Sequence, residues 1–546
     1  LSTPVLVSLN PILRNVGMYE LFYFGLSVLA ISVIGLLLAD KKSRIGFYTV
    51  IIIFCGTTTA IVPFLEKLPL NQLFWMTRFT PIVYVIFILS LLEWKKCRRY
   101  AMILIALIII LDCIPSVDIQ RYHSQTPSVF TYTLSDAKKI TNQRVSLLDV
   151  SAYGSYPSYG LAAEDPKTPY TFGWAWQAAS TASNIVRVNT ALEKGYYDYL
   201  FDRSLELGDD TILVRKELVV QAKKTLNSLV EAAEASGYTL YKETNYVYIF
   251  HRNTPKTFGV VSEYSGLAIG RNAQSVALVY PSVKEGDSQN LMDYTVRELS
   301  RYKVIYLSGF QYSDRQKAEE LLTEVANRGV KIIVDMSQIP VDPITSRMVF
   351  FDVTAQPITF SGQYPELLYR NKIYDAIPFK KEYSTWSTVY LENVKHTLGY
   401  SWFQNKELGF LGTGDNKNIV FMGYNFLYHA METNDQTIIS IMSEVMQLEP
   451  NRLPERKIIP LTVSVQKDRI IINSPGGKVN TTLSYQDNFR SEQQIINQNN
   501  LLTVIEPHTE IKIIYPYLLQ GLVISIAGLL GIAILMYFVY REKRCL

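Results

Sequence analysis

The apolar residues of this 546-residue chain gather near its two ends, while the middle has the composition of a soluble protein. That uneven placement limits the folds open to it more than any motif does. A bilayer crossing takes about 20 consecutive apolar residues. Four segments in the first 115 residues reach or approach that length: Glu20–Ala39, Gly46–Phe64, Leu73–Leu92 and Tyr100–Ile114, the last only with its flanks. A fifth, Tyr515–Tyr540, contains no charged residue. A removable signal peptide does not account for the start, since no cleavage pattern follows and further apolar segments come after it. The chain does not open on Met, and we expect it to be the C-terminal part of a longer polytopic protein.

Basic residues cluster in "ADKKSR", "EWKKCRRY" and "REKRCL", between or after these segments. The positive-inside rule puts all three in the cytoplasm and the region between Pro115 and Ile514 outside it. The expected fold class is therefore a polytopic α-helical membrane protein with a large extracytoplasmic α/β region and a small antiparallel β-domain. The expected divisions are transmembrane helices over 1–115, an α/β domain with an aromatic loop over 116–256 and a second α/β domain over 257–450. A β stalk over 451–514, a last transmembrane helix over 515–540 and a cytoplasmic tail over 541–546 complete the chain. The expected location is the bacterial cell membrane, multi-pass, with the lipid bilayer as a partner.

A net charge of +4 is small for this length, and no basic stripe is interleaved with aromatics, so nucleic acid is not an expected partner. The cysteines are Cys55, Cys97, Cys113 and Cys545, and none lies between the last two. The outer region therefore rests on core packing without disulfides, and thiol chemistry is excluded there.

Along the outer region, "RVSLLDVS" and "DTILVRK" read as strands, "ASTASNIVRVNTALEKG" and "TLNSLVEAAEASG" as helices, and "YTLYKETNYVYIFHR" as a hairpin. "SVALVYPS" reads as a buried strand and "NLMDYTVRELSRY" as a helix. "KVIYLSGF", the helix "DRQKAEELLTEVANRG" ending at Gly329, and "VKIIVDM" follow. A less regular insertion rich in Tyr and Phe precedes "NIVFMGYN" and the helix "DQTIISIMSEVMQL". Apolar runs alternating with helices predict a parallel sheet covered on both faces. Beyond Pro454, alternation in "LTVSVQ", "DRIIINS", "NTTLSYQ" and "LLTVIEP" predicts a small antiparallel domain.

The chemistry offered is sparse. Asp335, Met336 and Ser337 occupy a strand end, but no G-x-S-x-G elbow surrounds the serine. The five histidines are scattered, and neither a metal nor a cofactor is expected. "GLAIGRNAQS", Gly266–Ser275, is a candidate phosphate-contacting turn, with a plain turn the preferred reading. The loop Tyr153–Gln177 sets Tyr156, Tyr159, Trp174 and Trp176 beside Glu164 and Asp165. Aromatic faces with carboxylates suit a sugar ring, and the same side chains suit a membrane interface or a domain contact. Arg78, near the outer end of the third apolar segment, is a candidate contact for a lipid phosphate, or else snorkels or pairs with Asp112. Asp202 and Arg203 read as neighbouring surface charges. Gly521, Ser525 and Gly528 share one face of the last apolar segment and suggest close helix packing.

The α/β part resembles the flavodoxin-like fold of class I glutamine amidotransferases, without their cysteine. The stretches "YTFGWAWQAAS", "YYDYLFDRSLELGDDTILV", "MDYTVRELSRYKVIYLSGF", "GVKIIVDM" and "TTLSYQDNF" resemble a bacterial family of integral membrane proteins related to 6-pyruvoyl-tetrahydropterin synthase. Such proteins are similar to C-type glycosyltransferases, which use polyprenyl-phosphate-linked sugars and whose catalytic carboxylate lies in the first outer loop. The resemblance implies a component of cell-envelope glycan assembly with a glycan acceptor, possible membrane-protein partners and its catalytic part outside this chain. The other reading is a non-enzymatic membrane-anchored scaffold or sensor whose amidotransferase-like domain binds a ligand or partner.

Overall fold

The computed structural model describes residues 26–56, 80–94, 99–113, 128–147, 169–171, 181–342, 346–361, 364–378, 385–515 and 518–544. The chain divides into two compact units, Leu1–Thr126 and Pro127–Leu546.

The first unit contains α1 (Leu26–Leu38), α2 (Lys41–Gly56), α3 (Thr80–Leu92) and α4 (Arg99–Cys113). Its core places Phe47 of α2 edge-on to Phe87 and Trp94, with ring centroids 6.0 and 5.7 Å apart. Asp112 accepts bonds from the backbone N–H and the hydroxyl of Ser27, at 3.0 and 2.5 Å.

The polytopic helical membrane architecture expected above is not what the structure shows. Among the described residues no helix is long and apolar enough to cross a membrane. The helices of the first unit run 13, 16, 13 and 15 residues. At 1.5 Å per residue they span roughly 20 to 24 Å, against about 30 Å of hydrocarbon. The C-terminal helix, Leu518–Arg544, ends on four consecutive charged residues. A side chain at Gly521 or Gly528 would meet nothing within 4 Å, so the expected small-residue stripe has no close neighbour among the described residues.

The second unit is rich in sheet. Its first sheet has the order β2-β1-β3-β5-β4, from β1 (Val145–Leu147), β2 (Tyr170–Thr171), β3 (Thr211–Arg215), β4 (Thr239–Glu243) and β5 (Val247–His251). Beside it in sequence lie α5 (Ser128–Ile140), α6 (Ala182–Lys194), α7 (Tyr197–Glu206), α8 (Lys216–Gln221) and α9 (Leu226–Ala235). Gly195, at φ 76°, ends α6 in the left-handed region that a side chain disfavours, which lets α7 begin two residues later.

After β6 (Phe258–Glu263), the central sheet begins with β7 (Gly266–Ile269), β8 (Val283–Glu285), β9 (Val304–Leu307) and β10 (Lys331–Asp335). It continues through β18 (Ile419–Met422), giving five parallel strands in the spatial order β8-β7-β9-β10-β18. Numbered by sequence within the sheet, that order is 2-1-3-4-5, a doubly wound arrangement. The strands are buried on both faces. Ala268, Tyr306, Ile333 and Met422 join one core and Ile269, Leu307, Val334 and Phe421 the other. Covering helices are α10 (Ala273–Val279), α11 (Val296–Leu299), α12 (Arg315–Asn327), α13 (Phe426–Thr433) and α14 (Gln436–Met446). The N-cap Asp314 accepts from the N–H of Lys317 to start α12, whose Ala318, Leu322, Val325 and Ala326 face the core.

Three local expectations fail. "SVALVYPS" is largely the helix α10, the crossover that brings β8 parallel to β7. "NLMDYTVRELSRY" holds only a 3₁₀ turn and the single turn α11, started by a Thr295/Glu298 capping box. The insertion between β10 and β18 is regular. It forms β11–β17 (Met348–Phe350, Val353–Ser361, Leu367–Tyr369, Lys372–Tyr374, Thr385–Glu392, His396–Phe403 and Lys406–Thr413), an antiparallel extension of the central sheet.

Two further sheets are antiparallel. One joins β6 to β19 (Glu455–Pro460), β22 (Val479–Ser484), β24 (Ile495–Gln498) and β25 (Leu501–Val504). The other consists of β20 (Thr462–Val465), β21 (Arg469–Asn473), β23 (Phe489–Arg490) and β26 (His508–Ile513). The last helix, α15, is Leu518–Arg544.

Candidate functional site

Doubly wound sheets bind ligands outside the carboxyl ends of their strands, where the strand order reverses. Here the reversal falls between β7 and β9, and a cavity of about 500 Å³ opens there. Arg271 and Asn272 enter it from the turn after β7, Asp335, Ser337 and Gln338 from the end of β10, and Asn425 and Tyr428 from the start of α13.

The backbone at this edge is drawn tight. Gly270 has φ 118°, and a Cβ there would lie 2.2 Å from the carbonyl oxygen of Ser308. Only glycine lets the β7 turn approach the β9 turn so closely. The N–H groups of Arg271 and Asn272 then reach the carbonyls of Gly309 and Ser308 at 3.1 and 3.2 Å.

Asp335 is buried at the floor of the cavity. One carboxylate oxygen accepts from the hydroxyl of Ser308 at 2.7 Å. The other accepts from the N–H and hydroxyl of Ser337, at 3.1 and 2.5 Å. Asn272 in turn donates its amide to Ser308 Oγ at 3.0 Å. Burial raises the carboxyl pKa, and the Ser337 and Ser308 bonds and the Arg271 charge pull the other way. Arg271 is exposed, donates one guanidinium nitrogen to Gln338 Oε1, and keeps further donors of its five for a ligand. The arrangement offers one cation and several neutral donors over a saturated carboxylate.

A second charged cluster is closed. Arg456 of β19 forks onto Asp202 at 2.5 and 2.7 Å. Arg203 reaches the same carboxylate at 2.6 Å and the carbonyl of Pro281 at 3.1 Å. Glu206 accepts from Tyr264 at 3.0 Å and faces Arg456 and Arg203 at 3.4 and 3.7 Å. Burial pushes the Glu206 pKa up, and the Arg456 and Arg203 charges outweigh it, so the net shift is downward. All four charged side chains are at most 8% exposed. Asp202 and Arg203 are thus not the surface charges expected from sequence. Their partner Arg456 lies 254 residues away from Asp202, and no local pattern reveals it.

Arg78 and the aromatic-loop candidates Tyr156, Tyr159, Glu164, Asp165, Trp174 and Trp176 lie outside the described residues. Of the sequence signals, the turn Gly266–Ser275 and the strand end at Asp335 are brought together, 60-odd residues apart in sequence, at the reversal point. Arg271 within that turn carried no signal beyond its position, because its role depends on β10 arriving alongside.

Comparisons with known families divide the chain in three. Residues 1–120 match a family described as 6-pyruvoyl-tetrahydropterin synthase related domain; membrane protein. Residues 129–263 and 265–429 match two domains of unknown function, DUF8559 and DUF8560. The second of these spans the five parallel strands and the antiparallel insertion. Nothing among curated proteins matches the chain.

Proposed function

We propose that this chain is a binding component of cell-envelope glycan assembly at a membrane, with its sheet-rich part on the extracytoplasmic side. In this reading the crevice at the ends of β7, β10 and β18 holds an anionic, hydroxyl-bearing ligand of the sugar-phosphate class. The observation that carries it is the exposed Arg271 set above buried Asp335 in one cavity of about 500 Å³, a volume in the usual range for small-molecule sites. Arg271 would take the phosphate, while Asn272, Ser275 and Asn425 would meet hydroxyls.

Binding rather than catalysis is favoured by the state of Asp335. Both its oxygens already accept bonds, and among the described lining residues there is no histidine or cysteine to activate a nucleophile. That favours the non-enzymatic form, a membrane-anchored sensor or scaffold. Membrane contact is supported by the family matched at residues 1–120 and by the exposed Leu, Ile and Val side chains of α1–α4 and α15. The absence of cysteine between Cys113 and Cys545 suits an extracytoplasmic setting.

The test is calorimetric titration of the full chain with glucose 1-phosphate and with glucose. The phosphate ester is expected to bind more tightly, and Arg271→Ala to weaken it about tenfold or more, the worth of one charge-assisted hydrogen bond. Equal binding by parent and variant, or none by the parent, overturns the reading.

A further inference from the structure

A smaller cleft of about 140 Å³ lies where β6, β8 and the β22/β25 pair converge. At about 30 Å³ per water it has room for four or five waters, or for one tetrahedral oxyanion. Its walls include Ser262, Lys284, Lys478, Asn480 and Thr503. Glu206 also lines it, but that carboxylate is engaged by Tyr264, Arg456 and Arg203.

The charge here does not balance as it does in the Asp202 cluster. Lys284, only 11% exposed along its side chain, is paired with Asp287 at 2.8 Å, and Asp287 itself is 60% exposed. Burial first, then the like charges of Lys284 and Arg301, push the Lys478 ammonium down from its ordinary pKa, with Asp287 opposing. Thr503 adds a second, independent sign. It is 1% exposed, and its hydroxyl has no hydrogen-bond partner among the described residues, a condition that normally points to a missing partner.

We infer that this cleft is a second ligand site, for a phosphate group held between Lys284 and Lys478 with the Thr503 hydroxyl as a further donor. Bound there, the anion offsets the repulsion of the two ammonium groups and ties β22 to β8. The group comes either as inorganic phosphate or as the end of a phosphate monoester. The cleft volume admits the first whole and only the phosphate of the second.

Thermal unfolding of the full chain, with phosphate replacing chloride at constant ionic strength, tests the site. The midpoint is expected to rise with inorganic phosphate and with glycerol 1-phosphate, more strongly with the former. Lys478→Met, at an exposed position, should weaken the apparent affinity about tenfold or more. Without phosphate its midpoint should equal or exceed the parent's, because a like charge has been removed. Arg271→Ala should keep the response to inorganic phosphate and lose only the share of the monoester response that the crevice above Asp335 supplies, which separates the two sites. A midpoint unchanged when phosphate replaces chloride overturns the assignment. So does a Lys478→Met variant that responds to inorganic phosphate as the parent does, or an inorganic-phosphate response lost in Arg271→Ala. A stronger response to the monoester sinks only the whole-anion form and leaves a phosphate-ester site.

Discussion

The cluster around Asp202 and the crevice around Asp335 draw on the same side chains, carboxylates with guanidinium and hydroxyl donors, and differ in what is left over. In the first, two arginines meet one aspartate and one glutamate, every charge is paired, and all four side chains are buried. In the second, the carboxylate is saturated by serines, while Arg271 faces the cavity with donors to spare. Spare donor capacity at an open edge, not the number of charges, separates a binding site from a fastening. The fastening holds α7 to the β6/β19 pair, and so links the first α/β part to the strands that follow the central sheet.

Breaking each side in turn sharpens the contrast. The largest effect is expected from Arg456→Met, which leaves Arg203 alone to balance the buried carboxylates of Asp202 and Glu206 and should cost about 3–5 kcal/mol of stability. Denaturant unfolding measures it, and a loss below about 1 kcal/mol would remove the cluster from its structural role. Next is Asp209, fully buried beside Arg144, whose carboxyl is raised by burial from 3.8 to about 7. Between those values the unfolded chain has released its proton and the folded chain has not, so stability falls as pH rises through the window and levels above it. The fall should be on the order of a few kcal/mol, and Asp209→Asn should flatten it in unfolding curves taken across that range. Arg271→Ala, by contrast, should leave stability within about 0.5 kcal/mol, as expected for an exposed side chain, while weakening sugar-phosphate binding. A variant that unfolds more easily would make Arg271 part of the scaffold. The smallest effect on ligand binding is expected from Ser337→Ala, which removes one of the bonds to Asp335 and should cost about 1 kcal/mol of stability, with a modest loss of ligand affinity in the same titration.

Much of the second unit was legible. The strands at Val304 and Lys331 are runs of buried aliphatics, and α12 announces itself through Asp314 and a 3.6-residue apolar stripe. "SVALVYPS" was not, because a short apolar run has no period to tell strand from buried helix. What decides it is the need to cross from β7 to the parallel β8. The insertion strands did carry a signal, since "TWSTVYLE" alternates buried and exposed positions, but their Tyr and Phe content obscured it. At the crevice, the turn after β7 and the end of β10 were each visible alone. Their meeting depends on sheet order, which no spacing in the sequence states. The apolar ends misled about architecture because apolar content does not fix helix length: among the described residues α1–α4 cover 13 to 16 residues each.

The pairing of β6 with β19 joins Phe258 to Pro460, about 200 residues further along. A ribosome adding about 5–20 residues per second takes roughly ten to forty seconds to deliver the second strand after the first. During that interval the nascent chain can complete the five parallel strands, all of which lie between the two. The edge of β6, however, stays open, with unpaired amides and carbonyls and with Val260 uncovered. Synthesis order therefore favours an assembly order: the doubly wound sheet first and the β6/β19 seam second, which brings Arg456 to Asp202 as it forms. A stalled or truncated chain ending before residue 455 would carry a free strand edge and two buried-type carboxylates with Arg203 as their one cation, which marks it for a chaperone or a protease.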